Sequence, residues 1–125
     1  MRMTLDRGLE EPAWTAVPEQ VEGYFALPPA VILDIDETVL SNHSYHARLV
    51  RENRKHDSDL WRQWVLERRA FAVPGALEFA HYAQSRKVTV CYVTNRSHDV
   101  EDATRENLRA LGFPIEDGRD TIFSR

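Results

Sequence analysis

The stretch Val31-Ile32-Leu33-Asp34-Ile35-Asp36-Glu37-Thr38 joins a short apolar run to two carboxylates that stand one residue apart. The apolar part predicts a buried parallel β-strand over residues 30–35. Asp34 would emerge at the carboxyl end of this strand, where open α/β sheets bind their ligands, and Asp36 would lie on the loop just beyond. This placement suits a nucleophile, a proton donor and a hard cation.

Three segments surround and extend this strand. Residues 1–29 form an irregular or weakly helical lead-in segment that ends in Pro28-Pro29. Residues 30–125 hold an α/β core, and within it the interval at about 42–73 is a basic helical insert, placed where a cap would sit. The predicted apolar anchors of the insert are Leu49, Leu60, Trp61, Trp64 and Val65.

The second half of the core alternates between helix and strand. A helix is predicted over 76–87, a second strand over 88–93, and then a further helix that Gly112 terminates. Residues 121–123 begin a third strand. This order is typical of a three-layer, Rossmann-like parallel α/β fold, and two firm strands leave its sheet incomplete, with exposed edges.

The composition excludes several classes of protein. The 125 residues carry a formal net charge of -4, so the chain has no overall basic surface for nucleic acid, although residues 42–73 are basic. The single cysteine, Cys91, has no partner for a disulfide. No apolar run approaches the roughly 18 residues of a membrane span, and the first residues are too polar for a secretory signal.

The two carboxylates after the first strand suit the cleavage of a phosphate ester. Asp34 is the candidate nucleophile, because a carboxylate that attacks phosphorus divides the reaction into two easier steps. Asp36 is the candidate proton donor and, later, the base that activates water. Both need a cation beside an anionic phosphate, and oxygen ligands from Asp34 and Asp36, the latter through its backbone carbonyl, select Mg²⁺. Thr38 can orient the loop through its hydroxyl.

The second predicted strand ends in Thr94-Asn95-Arg96, beside Asp34 on the neighbouring strand. Thr94 can donate a hydrogen bond to a phosphate oxygen, and Asn95 is a second candidate for phosphate binding. Arg96 either pairs with an acid of the site or caps the following helix, and it is also a candidate for the substrate pocket. Together the two strand ends predict a site for phosphoryl transfer.

These motifs resemble those of a known superfamily. Asp34-Ile35-Asp36-Glu37-Thr38 followed by Val93-Thr94-Asn95-Arg96 is similar to motifs one and two of the haloacid dehalogenase (HAD) superfamily, and the second acid favours its phosphatases. Further matches resemble the class C bacterial acid phosphatases, which include outer-membrane lipoprotein 5'-nucleotidases. They are Ser41-Asn42, Tyr45, Trp61, Trp64, and the stretches 72–76 and 107–113.

The resemblance implies roles for individual residues. Asp34 would be the nucleophile, Asp36 the acid/base and Thr94 a phosphate ligand, on a HAD-like fold with a helical cap. It also implies a phosphate-holding lysine and metal-binding aspartates after the third strand, and the sequence ends at Arg125 before either. Weak turnover of this chain is therefore expected. Nucleoside monophosphates as substrates, and a periplasmic or outer-membrane-attached location, come from the resemblance alone.

Other side chains have two interpretations. Tyr45, Trp61 and Trp64 are candidates for holding an aromatic leaving group, although a three-residue spacing of tryptophans is more typical of a helix core. A basic run can steer phosphate but is more typical of a solvated helix face; it comprises Arg48, Arg51, Arg54 and Lys55. His43 and His46 have helical spacing but lack matching ligands for a transition metal.

The sequence therefore predicts a Mg²⁺-dependent acid phosphatase that hydrolyses phosphomonoesters through an aspartyl-phosphate intermediate. A second hypothesis is a catalytically impaired fragment that binds phosphate or a partner chain, including a second copy, through its exposed sheet edge. A third is a phosphotransferase that passes the phosphoryl group to an alcohol.

Overall fold

A computed structural model describes residues 1–11, 13–116 and 118–125. Helices and strands alternate along most of the chain, which confirms the predicted α/β class. The helices are α1 (Arg2–Glu10), α2 (His43–Arg51), α3 (Ser58–Glu67), α4 (Ala76–Ser85) and α5 (Glu101–Ala110). The strands are β1 (Ala30–Asp34), β2 (Leu40–Ser41), β3 (Phe71–Ala72), β4 (Thr89–Val93) and β5 (Ile122–Phe123).

The central sheet is parallel and has the strand order β1-β4-β5. Each of its three strands is one residue shorter than the sequence predicted. Leu33 of β1 lies opposite Tyr92 of β4, and Asp34 lies opposite Val93. Tyr92 also pairs with Ile122 of β5, so β4 is the central strand. The carboxyl ends of β1 and β4 therefore lie side by side, as a shared site requires.

The two faces of this sheet are covered differently. On one face Val90 and Tyr92 are buried against the core that α4 and α5 build. On the other face Ile32 is 63% exposed, and Val93 and Phe123 are also exposed. The prediction of a buried first strand is therefore wrong for the described residues. The physical reason is that side chains alternate between the faces of a strand, and the described helices cover only one of them.

The helical insert lies between β2 and β3, which pair in antiparallel fashion with Leu40 opposite Ala72. Leu49, Trp64 and Val65 anchor it as predicted, since all are buried. The side chain of Asn107 on α5 also holds the insert in place. Its amide donates to the Ala70 carbonyl and its oxygen accepts from the Ala70 N–H, both at 3.1 Å. The insert is thereby fixed beside the carboxyl ends of β1 and β4.

The lead-in segment begins with a regular helix and continues as irregular chain up to Pro29, apart from a 3₁₀ turn at Tyr24–Ala26. Helix α1 packs against α4, where the hydroxyl of Tyr82 donates to Asp6 at 2.7 Å. The sequence predicted an irregular or weakly helical segment here, because residues 1–29 are rich in Glu and Pro. No helix among the described residues is long and apolar enough to cross a membrane.

Candidate active site

A tight turn after β1 positions both carboxylates. The carbonyl of Ile35, whose side chain is fully buried, accepts the N–H groups of Val39 at 3.0 Å and Leu40 at 2.9 Å. Glu37 completes the turn with a φ of 59°, in the left-handed region. Because the chain reverses direction within so few residues, Asp36 stays beside the strand end that carries Asp34.

The Asp36 carboxylate accepts hydrogen bonds from two other segments of the chain, the loop after β4 and the start of the insert. Arg96 donates from Nη2 at 2.7 Å and from Nε at 3.1 and 3.2 Å to the two oxygens. Asn42 donates from its amide at 3.0 Å, and the Thr94 hydroxyl lies at 3.4 Å. The Asp36 side chain is 29% exposed, whereas that of Arg96 is 2% exposed. A bidentate ion pair of this kind fixes the orientation of the carboxylate.

Every part of the Arg96 guanidinium has a partner. Its Nη1 donates to the Thr104 hydroxyl at 3.1 Å, and its carbon lies 5.6 Å from the centre of a Trp61 ring, within cation–π range. Of the two roles left open by the sequence, pairing with an acid of the site is the one observed. Because its side chain is 2% exposed, Arg96 contacts Asp36 and core residues and not solvent.

Asn42 was named from the sequence as part of a motif match, with no role in the site assigned to it. It is 1% exposed, its N–H donates to Glu37 at 2.8 Å, and its oxygen accepts from the Trp64 indole at 2.9 Å. The sequence signal that could have indicated a role for Asn42 was its position as a polar residue between a strand and the apolar, periodic insert helix. Asp36, Asn42, Trp64, Arg96 and Thr104 together form what we term the Asp36 network.

Asp34 lies in more open surroundings. Its carboxylate is exposed and accepts a hydrogen bond from the Thr38 hydroxyl at 2.9 Å, which fulfils the predicted orienting role of Thr38. The described residues supply it with no ion pair. Thr94, which follows the strand partner of Asp34, is 6% exposed, while Asn95 is exposed. Asp34, Asp36 and Thr94 are therefore brought to one edge of the sheet.

The aromatic candidates divide into core and surface. Tyr45 and Trp64 are 1% and 2% exposed, so their rings pack in the insert core, whereas Trp61 is partly exposed. Burial, followed by the charge of Asp57, raises the pKa of the Tyr45 hydroxyl. That hydroxyl shares a hydrogen bond of 2.7 Å with His56. Of the three rings, Trp61 is the one within reach of solvent.

The oxygen atoms at the strand ends suit a hard cation. Asp34 keeps one carboxylate oxygen clear of the Thr38 bond, and no described residue donates a hydrogen bond to the backbone carbonyl of Asp36. Both are the oxygen type that Mg²⁺ prefers. In residues 1–11, 13–116 and 118–125 no group of three or more His, Cys, Asp or Glu residues is placed to hold a metal. The Asp36 carboxylate is already occupied by Arg96.

A parallel sheet with two carboxylates and a threonine at its carboxyl edge, covered by a helical insert, defines a haloacid dehalogenase-like fold. The chain belongs to the HAD superfamily, subfamily IIIB (acid phosphatase), whose family model matches residues 12–123. The resemblance drawn from the motifs is thereby confirmed.

Solved structures and curated relatives agree with this assignment. The class C acid phosphatase from Bacillus anthracis is 31% identical, with a TM-score of 0.79 over 99% of this chain and 47% of its own. Its structure with tungstate bound gives a TM-score of 0.76, 30% identity, and coverage of 99% and 48%. The stem 28 kDa glycoprotein of Glycine max is 29% identical over 66% of this chain and 32% of its own. The chain thus spans about half the length of the solved structures and about a third of that relative.

Proposed function

We propose that the chain carries the nucleophile and the acid/base of a Mg²⁺-dependent phosphomonoesterase that acts through an aspartyl phosphate. The observation that carries the proposal is the parallel register of β1 and β4. Asp34 lies opposite Val93, so Thr94 follows directly beside it, and Asp36 contacts Thr94. A nucleophile, an acid/base and a hydrogen-bond donor to phosphate then share one edge of the sheet.

The reaction has two steps. In the first, a carboxylate oxygen of Asp34 forms a bond to phosphorus while the bond from phosphorus to the leaving oxygen breaks, and Asp36, which enters this step protonated, gives its proton to that oxygen. In the second, Asp36 takes a proton from water, whose oxygen attacks phosphorus. The bond to Asp34 breaks, and inorganic phosphate leaves. Both residues return to their starting state.

The Asp36 network supports the acid/base role by fixing a carboxylate that would otherwise rotate freely. Arg96 and Asn42 reach Asp36 from the β4 loop and the start of the insert. Preorganised groups of this kind need no rearrangement as the reaction begins. Thr94 can donate either to Asp36 or to a phosphate oxygen, because its hydroxyl lies at the long distance of 3.4 Å from Asp36.

The carboxylate of Asp34 and the backbone carbonyl of Asp36 would hold Mg²⁺. When bound, the cation offsets repulsion between these carboxylates and an anionic phosphate. The class C acid phosphatase from Bacillus anthracis has been solved with tungstate bound, and because tungstate is a tetrahedral oxyanion, this supports a phosphate group as the ligand of such a protein. Nucleoside monophosphates remain one substrate class to test, with the partly exposed Trp61 as the ring available for a base. The periplasmic or outer-membrane-attached location also stays a prediction.

The test is release of phosphate from aryl phosphates and nucleoside monophosphates, with and without Mg²⁺. Asp34→Asn removes the nucleophile at an exposed position, and Asp59→Asn, in the first turn of α3, makes the same change away from the site. We expect turnover that Asp59→Asn keeps and that Asp34→Asn or chelation abolishes. Equal turnover in Asp34→Asn and the parent would overturn the nucleophile assignment. Product ratios that follow an added alcohol would favour the phosphotransferase.

A second function is favoured by the exposed sheet face. Ile32, Val93 and Phe123 present apolar side chains on it, and β1 and β5 are its edge strands. We propose that this face pairs with a second copy of the chain, because exposed apolar surface and unpaired edges both favour association. Sedimentation over a range of concentrations tests this. Ile32→Lys should shift the chain to monomer, and a monomeric parent at all concentrations would contradict the proposal.

A further inference from the structure

A cleft of about 390 Å³ lies between α2, α3 and β3, and Trp64 is the one member of the Asp36 network among the residues that line it. Arginine side chains from two separate segments line it: Arg48 and Arg51 from α2, and Arg69 from the loop before β3. Trp64 lines its wall and Phe71, 64% exposed, its rim. We term this feature the arginine cleft.

The arrangement of α2 explains why arginines face the cleft. Residues 44, 47, 48 and 51 all line it, and this spacing of three and four residues places them on one face of the helix. The cleft also lies in the basic part of the chain. Residues 42–73 hold 7 basic and 4 acidic residues, in a protein whose formal net charge is -4. An anion is therefore attracted to this segment rather than to the rest of the surface.

The three arginines differ in how far they are already engaged. Arg48 makes a bidentate pair with Glu67 at 2.6 Å and lies 5.6 Å from a Trp64 ring centre. The hydrogen bonds from Arg48 lower the pKa of Glu67, so this pair stays charged. Arg51 has a side chain that is 77% exposed, with one long contact of 3.6 Å to Glu52. Arg69 is exposed, and the described residues give it no ion pair within 4.0 Å.

We propose that the arginine cleft binds a small polyphosphate anion, with Arg51 and Arg69 as the principal donors. A guanidinium presents a planar fork of N–H groups that matches the oxygens of a phosphate group. Arg48, already held in an ion pair by Glu67, lines the wall of the cleft and is not counted among the available donors. Two available guanidinium groups from separate segments that line one cleft favour an anion with more than one phosphate group. This assignment does not depend on catalysis at Asp34.

Trp64 gives the proposal a direct readout. It lines the arginine cleft, and its indole N–H donates to Asn42, which in turn donates to Asp36. An anion beside Arg48 would change the electrostatic environment of this indole. Tryptophan fluorescence and amide chemical shifts of residues 44–51 should therefore respond to binding.

The experiment is a titration of the whole chain with inorganic pyrophosphate, without divalent metal and at physiological ionic strength. Leaving out the metal disfavours binding of the anion at the two carboxylates, and the salt screens weak long-range attraction. The variant Arg51→Gln/Arg69→Gln removes two exposed charges from the cleft. Its matched control is Arg62→Gln/Arg68→Gln, whose arginines pair with Asp99 and Glu106 and do not line the cleft.

We expect saturable binding that the cleft variant weakens by more than about tenfold, the effect of losing one or more charge-assisted hydrogen bonds. The control variant and Asp34→Asn should bind like the parent. Equal weakening in the two double variants would show attraction to net charge alone, and would overturn the proposal. Loss of binding in Thr94→Val but not in the cleft variant would place the anion at the candidate active site and overturn the proposal. Absence of binding by the parent would overturn it as well.

Discussion

The surroundings of Asp36 and those of Asp34 differ sharply, although the two residues are neighbours on one turn. Asp36 accepts hydrogen bonds from Asn42, Thr94 and Arg96, which come from two distant segments of the sequence. Asp34 is exposed and accepts one from Thr38, four residues away. Tertiary contacts therefore hold the Asp36 carboxylate, whereas a local turn holds that of Asp34.

This difference indicates where a ligand can bind. The Asp36 network satisfies a buried guanidinium and a partly buried carboxylate inside the chain, so its geometry is fixed before any substrate arrives. The open side of Asp34 leaves carboxylate oxygen free for a phosphorus atom or a cation. The comparison predicts that substitutions in the network reduce stability, while substitutions beside Asp34 affect chemistry alone.

The largest effect is expected for Arg96→Met. The change leaves the Asp36 carboxylate without its ion pair, and removes the partner of Thr104 and the cation above Trp61. Breaking a buried pair from one side destabilises a protein by about 3–5 kcal/mol, and the partial exposure of Asp36 places this case near the lower end. Urea unfolding measures it. Adding Asp36→Asn to Arg96→Met should restore part of the loss, and an unchanged or larger loss would show that the ion pair is not the cause.

Asn42→Ala should have the second largest effect. The substitution removes a donor from Asp36 and the acceptor of the Trp64 indole, which is then buried without a partner. Leaving a buried polar group unsatisfied costs about 1–3 kcal/mol. Unfolding curves followed by tryptophan fluorescence would report both the stability and the Trp64 environment. Asn95→Ala is the matched control, since Asn95 is exposed, and an equal loss there would contradict the assignment.

The outline of the fold was accessible from local sequence. The apolar run before Asp34 and the glycine at 112 predicted a strand and a helix end, because each is a property of neighbouring residues. The exposed face of β1 was not accessible in this way. An apolar strand looks the same whether one or both faces are covered, and the cover depends on helices elsewhere in the chain.

The candidate site was predicted in part for the same reason. Asp34, Asp36 and Thr94 followed from strand ends, whose position in parallel sheets is general. Asn42 was named without a role and Arg96 was left undecided, because the partners of a buried polar residue come from distant segments. Trp64 lies 22 residues after Asn42, and Arg96 lies 60 residues after Asp36. Only tertiary packing brings these residues together.

A smaller effect on stability is expected for Glu67→Gln in the insert. Glu67 pairs with Arg48, whose guanidinium lies 5.6 Å from a Trp64 ring centre. The Arg48 hydrogen bonds lower the pKa of Glu67, so the pair contributes stability above the unfolded pKa of about 4.3 and loses it as the pH falls through the folded value. The parent should therefore exceed Glu67→Gln in stability by about 0.5–1 kcal/mol near neutral pH. The difference should disappear in acid.

Thermal unfolding of both proteins between neutral and strongly acid pH measures this difference. Glu78→Gln, in the first turn of α4, reports the effect of the same substitution without the Arg48 contact. If the parent is more stable than Glu67→Gln by the same amount at every pH, the ion pair does not contribute to the difference, since only an ionised Glu67 can form it.

The smallest effect on stability is expected for Asp34→Asn and Thr38→Val. Asp34 is exposed, and its one hydrogen bond joins residues that are close in sequence, so each change should alter the free energy of unfolding by no more than about 0.5 kcal/mol. Asp36→Asn is the matched substitution two residues away, and it should cost more because Arg96 then lacks a charged partner. Urea unfolding of the three variants gives the order directly. If Asp34→Asn destabilised the chain as much as Asp36→Asn, the Asp34 carboxylate would be part of the structural framework, and its open side could not be taken as the place where a ligand binds.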